Sequence, residues 1–290
     1  MVNSVIIRGE IMLGAICGDI VGSVYEGNNI KEKKFQLFRD ESCFTDDSVM
    51  TIAISKACCE YSKNKDEVIF KSNCIKFMHE LGRKYINAGY GGTFIRWLLC
   101  DNPQPYNSYG NGSAMRVSSV AYVSETLEEA EKLAKLSAEV SHNHPCGIAG
   151  AQAVAGSLWI LMHEGNKEMV KKYVESKYYK LDFKIDDIRE NYKFDVSCQG
   201  SVPQAIEAFL EAEDYEDSIR TAISLGGDSD TIAAITGGLA EAYFGMPKEM
   251  KAKTLKYLPL DLRQSVINFY DVVQKKKTNI KNEINKGVDS

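Results

Sequence analysis

Apolar residues recur three and four positions apart over most of the chain, as in "MLGAICGDIVGSVYEG", "DDSVMTIAISKACCEYS", "TLEEAEKLAKLSAEVS", "PCGIAGAQAVAGSLWILMHEG", "VPQAIEAFLEAE" and "DSDTIAAITGGLAEAYFG". That spacing marks one face of a helix, and the period-two alternation of a strand is scarce, so the pattern predicts an all-α protein. Punctuation agrees: Pro145 opens a helix after "SHNH", Pro203 suits the first turn after Ser201, and Gly165 and Gly245 stand where helices should stop. Many of these stretches are rich in Gly, Ala and Ser, which let backbones approach closely. No heptad persists, so the helices should cross in a compact globular array and not supercoil. Without a fixed-period repeat or a Gly/Ser or Pro linker, the chain reads as one domain over residues 12–275. An extension, residues 1–11, precedes it, with room for a short strand or an alternative start at Met12, and a polar tail, residues 276–290, is expected to fray.

Composition narrows the function. At 290 residues and 44% hydrophobic content the chain can bury a large core. A net charge of −5 argues against a general nucleic-acid or membrane-surface binder, which needs a cationic footprint. No window approaches about 18 consecutive apolar residues, and the start lacks the order of a signal peptide, so the expected location is cytoplasmic. The eight cysteines form no C-x-x-C pair, and most are expected to be reduced and buried.

The candidate chemistry lies in two acidic clusters, "CFTDDSVMTIAI" at 43–54 and "SLGGDSDTIAAI" at 224–235. An aspartate ahead of a helix is ordinarily an N-cap. Adjacent Asp46 and Asp47 can hardly both cap one helix, however, and Asp228 and Asp230 repeat the excess, each cluster with a threonine beside it (Thr45, Thr231). Four carboxylates in one cleft repel one another, whereas two divalent ions would balance them; hard oxygen ligands favour Mg²⁺, admit Mn²⁺ and suit zinc poorly. A D-x-D also occurs in sugar-nucleotide transferases and phosphohydrolases, but at strand ends that this pattern lacks, and the D-D-x-x-D of terpenoid synthases would need an acid at Met50. Gly14, Gly18 and Gly22 form a bare stripe on one helix face, the mark of a tight crossing; Asp19 and Glu26 are superfluous to such packing. "NAGYGG" at 87–92 and "YNSYGNGSAMRVSS" at 106–119 offer exposed amides that could cradle a diphosphate without a lysine. "SHNH" alone, with no second His or Cys cluster, is a weak metal or nuclease signal.

In this order, "LGAICGDIVGSVYE", "FTDDSVMTIA", "SYGNGSAMR", "SHNHPCGIAGA" and "SLGGDSDTIAAITGGLAEAYFG" resemble the ADP-ribosylglycohydrolase family, over roughly residues 12–245. The resemblance implies a compact orthogonal all-α array with two Mg²⁺ (Mn²⁺ as substitute) at the mouth of a cleft. It implies hydrolysis of the bond from ribose C1″ to a side chain or related acceptor, with release of ADP-ribose. Thr45, Asp46, Asp47, Asp228, Asp230 and Thr231 match the family's metal ligands, and Glu26 or Asp47 would handle the proton. Tyr90, Gly91 and Gly92 match a glycine loop, Ser108, Tyr109, Gly110, Asn111 and Gly112 the diphosphate and ribose contacts, and His142 a pocket histidine. "NAGYGGTF" lacks the aspartate of the arginine-directed enzymes, and "GSVYE" looks closer to the serine-directed branch. The expected partner is an ADP-ribosylated protein or small ADP-ribosyl conjugate, met by a monomer without membrane contact; nucleic acid enters only as an ADP-ribosylated substrate. Two other readings are a non-catalytic ADP-ribose-binding protein and a Mg²⁺-dependent nucleotide phosphohydrolase.

Overall fold

The computed structural model describes residues 12–288. Fifteen helices follow one another: α1 (Leu13–Gly22), α2 (Asp46–Asn64), α3 (Glu67–Lys84), α4 (Gly92–Leu99), α5 (Gly112–Met115), α6 (Ser118–Val123), α7 (Leu127–Glu139), α8 (Pro145–His163), α9 (Lys167–Lys177), α10 (Ile185–Ile188), α11 (Cys198–Glu211), α12 (Tyr215–Ser224), α13 (Ser229–Phe244), α14 (Lys248–Tyr257) and α15 (Leu260–Val288). The described residues contain no strand, only an isolated antiparallel bridge between Gly110 and Ser197. The all-α expectation is met. The extension, residues 1–11, lies outside the described residues.

Helix α13 is the central element, buried from Ser229 to Glu241 and packed against α1, α8, α11 and α12. The glycine stripe explains its closest partner. A Cβ on Gly14 would collide with the Gly237 carbonyl, one on Gly18 with the Ala233 carbonyl, and one on Gly22 with the Asp230 backbone. The two helices therefore touch backbone to backbone, which only glycine permits. Polar contacts pin the far end of the crossing: Gly14 donates its amide to Glu241 Oε2 at 2.8 Å, and Tyr215 donates its hydroxyl to the Gly14 carbonyl at 3.1 Å. The first of these gives an otherwise partnerless amide in the opening turn of α1 an acceptor.

Three local expectations meet different outcomes. Helix α8 does begin at Pro145, capped by His144, whose Nδ1 accepts the Cys146 amide at 3.1 Å. Helix α11, by contrast, starts earlier than Pro203 implied: Ser197 is the cap, accepting the Gly200 amide at 3.0 Å, and Pro203 lies inside the helix. A helix cap needs a side-chain acceptor near its first amides, and Ser197 supplies it one turn before proline becomes relevant. The polar tail continues as helix α15 through Val288; it has no proline, and its only glycine, Gly287, comes at the end. Helix α8 is also long and apolar enough, by length and composition, to cross a membrane, yet it is largely a buried core helix packed on α7, α11 and α13.

Replacing Gly18 by valine should force α1 off α13 and cost at least about 3 kcal/mol, or abolish folding, as read by thermal denaturation. Gly27, whose Cβ would meet nothing within 4 Å, is the control, and Gly27→Ala should stay within about 0.5 kcal/mol of the parent.

Candidate active site

The first acidic cluster opens α2, and the capping role falls to Thr45, not to an aspartate. Thr45 Oγ1 accepts the Asp47 amide at 3.2 Å and donates to Asp19 Oδ1 at 2.6 Å. Asp46 and Asp47 are thus released from capping while remaining in the first turn, where the helix dipole favours negative charge. Asp19, fully buried in α1, grips this turn from below. Its Oδ2 accepts the amides of Thr45 at 2.9 Å and Ser48 at 3.1 Å and also the Ser48 hydroxyl. Sequence reading marked Asp19 as surplus to packing but gave it no place in the site; a carboxylate midway along an apolar glycine-striped helix was the available signal.

The second cluster opens α13 after Gly226 and Gly227, both with positive φ (72° and 71°), a conformation that suits glycine. Asn29 reads this turn from both sides. Its Nδ2 donates to the Gly227 carbonyl at 3.1 Å while its Oδ1 accepts the Gly227 amide at 2.8 Å. Lys31 adds three bonds, from Nζ to the carbonyls of Arg189, Tyr192 and Leu225 at 2.7, 2.8 and 2.7 Å. Asp228 occupies the cap position of α13 but makes no capping bond; its Oδ2 instead accepts Asn111 Nδ2 at 2.6 Å. The clusters meet where Thr231 donates its hydroxyl to Asp47 Oδ2 at 3.2 Å. Carboxylate oxygens of Asp19, Asp47 and Asp230 lie within 4.8 Å of one another, as do those of Glu26, Asp228 and Asp230.

So dense an acidic cluster is costly without a counterion. Burial, reinforced by the charges of Asp19 and Asp228, raises the Asp46 carboxyl to about 8. Burial and neighbouring carboxylates hold Asp47 and Asp230 well above the ordinary range, and burial with Asp228 and Asp19 raises Glu26 as well. Asp47 Oδ1 is buried with no hydrogen-bond partner. Surplus hard oxygens, an orphaned carboxylate atom and uncompensated charge together fit a divalent cation.

Glu26, Asp46, Asp47, Asp228 and Asp230 line a cleft of about 750 Å³. Its remaining walls include Gly89, Gly91 and Gly92, the 108–112 loop, His142, and Phe194 to Ser197. A Cβ at Gly91 or Gly92 would meet nothing within 4 Å, so these positions leave room for a ligand. The Tyr90 ring turns away into the core against Phe94, centroids 5.7 Å apart, so at that position only the backbone belongs with the loop. His142 is buried with Nε2 towards Gly110 and Gly112, whereas His144 is spent on capping α8; the "SHNH" pair does not act as one metal site. The cleft wall also contains Arg116, a fully buried guanidinium with no ion-pair partner among the described residues. It places a cation in the same cleft wall as the lysine-free 108–112 loop; in the sequence it is a single basic residue, and only folding shows it buried there.

An all-helical array in which two helix N-termini gather carboxylates in one cleft suits the class of hydrolases that work with a bound cation. The chain belongs to the ADP-ribosylglycohydrolase family, whose model matches residues 7–279, and is accordingly an enzyme that hydrolyses glycosidic bonds. Similar curated proteins are ADP-ribosylhydrolase ARH3 of Homo sapiens, 27% identical over 81% of this chain and 84% of the relative, and that of Mus musculus, 29% identical over 81% and 83%. Among solved structures, an ADP-ribosylglycohydrolase-related protein complex superposes with a TM-score of 0.63 at 21% identity, covering 90% of this chain and 96% of that one, and so shares the fold.

The raised carboxyls set a pH dependence. Asp46 binds its proton more tightly folded (about 8) than at its ordinary value of 3.8, so between those values the folded state carries more protons and rising pH favours unfolding. Cation-free protein should therefore lose thermal stability from about pH 4 to about pH 8. Asp46→Asn should flatten that slope, and a divalent cation should raise the melting temperature more at pH 8 than at pH 5. Thermal scans in chelator and in cation would check each point.

Proposed function

We propose that the protein is a Mg²⁺-dependent hydrolase that cleaves the bond between ribose C1″ and the acceptor of an ADP-ribosylated protein or small ADP-ribosyl conjugate, releasing ADP-ribose. One observation carries this reading: one cleft is lined by converging carboxylates, by the glycine-containing 89–92 and 108–112 loops and by a buried guanidinium, so a single ligand that combines a diol with a diphosphate suits it. Thr45, Asp46, Asp47, Asp228, Asp230 and Thr231 would hold two Mg²⁺, with Asp19 orienting the first turn of α2 and Asn111 orienting Asp228. When bound, the cations supply Lewis acidity at the ribose hydroxyls and lower the pKa of water.

The protein's own groups do the remainder. Amides of the 108–112 loop and of Gly91 and Gly92 bind and orient the diphosphate and ribose, fixing C1″ beside the acids. As the C1″ bond lengthens, positive charge develops on the ribose ring, and the carboxylates stabilise it. Glu26, the cluster's exposed member, carries a raised pKa and reaches the cleft, so its carboxyl handles the proton at the acceptor atom, and buried Asp47 is left as a cation ligand. The absence of an acid from "NAGYGGTF" and the "GSVYE" context favour serine over arginine as acceptor.

The test is product identity. Arginine-, serine-, nucleobase- and acetyl-linked ADP-ribose would be incubated with Mg²⁺, with chelator and with the Asp228→Ala protein, and products resolved by mass. Release of ADP-ribose from one substrate should fall by about 10²-fold or more in chelator and in the variant. Glu26→Gln should slow turnover by about 10²- to 10⁴-fold while preserving the thermal shift produced by Mg²⁺. Phosphate or AMP as product would point to the nucleotide phosphohydrolase, and tight ADP-ribose binding without turnover to the non-catalytic binder.

A further inference from the structure

Arg116 and His142 are both buried in the wall of the cleft, and Ser141 joins them. Arg116 Nη2 donates one N–H to the Ser137 carbonyl at 2.9 Å and the other to Ser141 Oγ at 2.9 Å. Ser141 Oγ lies 2.8 Å from His142 Nδ1. Guanidinium can only donate, so the serine oxygen accepts from it, and the single hydroxyl proton remains for its other neighbour. That neighbour is the imidazole nitrogen: the second lone pair of the serine oxygen could take an Nδ1–H, but the buried hydroxyl proton would then have no partner, so the nitrogen accepts.

We infer that Arg116, acting through Ser141, locks His142 in the tautomer that carries its proton on Nε2 and so presents an N–H, not a lone pair, to the ligand at the Gly110–Gly112 loop. Arg116 and Ser141 are positioning residues; His142 makes the contact. A Cβ at Gly112 would stand 3.1 Å from His142 Nε2 and one at Gly110 would stand 3.6 Å away, so the nitrogen faces the loop that lines the cleft. Phe94 and Tyr106 flank the imidazole with centroids at 6.2 and 5.7 Å and restrict its rotation. Burial and the facing guanidinium hold His142 well below its ordinary pKa, so the ring is neutral and its proton must be assigned to one nitrogen. The opposite tautomer would aim a lone pair at the oxygens of an incoming anion, whereas Nε2–H donates to them. The ligand is identified by this chemistry as a phosphate or hydroxyl oxygen, in keeping with the ADP-ribose proposed above, on which that part of the inference rests.

Because the chain has only four histidines, the tautomer can be read directly. Full-length protein labelled with ¹⁵N in histidine would be examined by long-range ¹H–¹⁵N correlation, with His142→Gln identifying the relevant signals. The expected spectrum at pH 7 has a pyridine-type Nδ1 and a pyrrole-type Nε2. Ser141→Ala, which removes one oxygen and keeps the backbone, should let the ring exchange between tautomers and weaken ADP-ribose binding in calorimetry with Mg²⁺ by about tenfold. A pyrrole-type Nδ1, an imidazolium at pH 7, or an unchanged spectrum in Ser141→Ala would overturn the inference. Failure of the parent protein to bind ADP-ribose would overturn the ligand assignment and the function proposed above, while the tautomer signals would still decide the relay.

Discussion

Three glycines on one face of α1 allow its backbone to lie directly on that of α13, and the carboxylate site is assembled at the end of that contact. The crossing leaves Gly22 against Asp230 and places Asp19, one turn earlier, under the first amides of α2. Segments far apart in the chain are thereby brought together at two helix N-termini. A side chain on any of the three glycines would push apart the helices that hold these acids, so packing and site share a single constraint.

Gathering carboxylates opposes folding, and the way this chain tolerates them is informative. Their nearest polar partners are neutral: the hydroxyls of Thr45, Ser48 and Thr231 and the amide of Asn111. Lys31, which follows the first helix in the chain, spends its three donors on backbone carbonyls that shape the turn before Asp228. Neutral donors fix where the oxygens point without cancelling their charge. The site is therefore ordered and still electrostatically incomplete, the condition that favours a cation over a salt bridge.

Elsewhere in the cleft wall the sign reverses. Arg116 is buried without a carboxylate, its guanidinium held by Ser137, Ser141 and the face of Phe94 at 5.8 Å. In a low-dielectric interior an unneutralised charge acts over a longer range than at the surface. Anionic and cationic groups thus line the same cleft.

Sequence alone determined what depends on local spacing: the helical class, the close crossing of the first helix, the starts of α8 and α2, and the two acidic clusters, because period and capping chemistry are properties of neighbouring residues. It misjudged the start of α11, where Ser197 outcompetes the signal of Pro203, and the persistence of the terminal helix. It left Asp19 and Arg116 without roles. Tertiary structure decided these points because each depends on what lies across the interior: which aspartates are freed from capping, which buried charge lacks a partner, and which nitrogen of His142 faces the cleft. Such contacts join residues up to 227 positions apart, as between Gly14 and Glu241, and no local pattern encodes them.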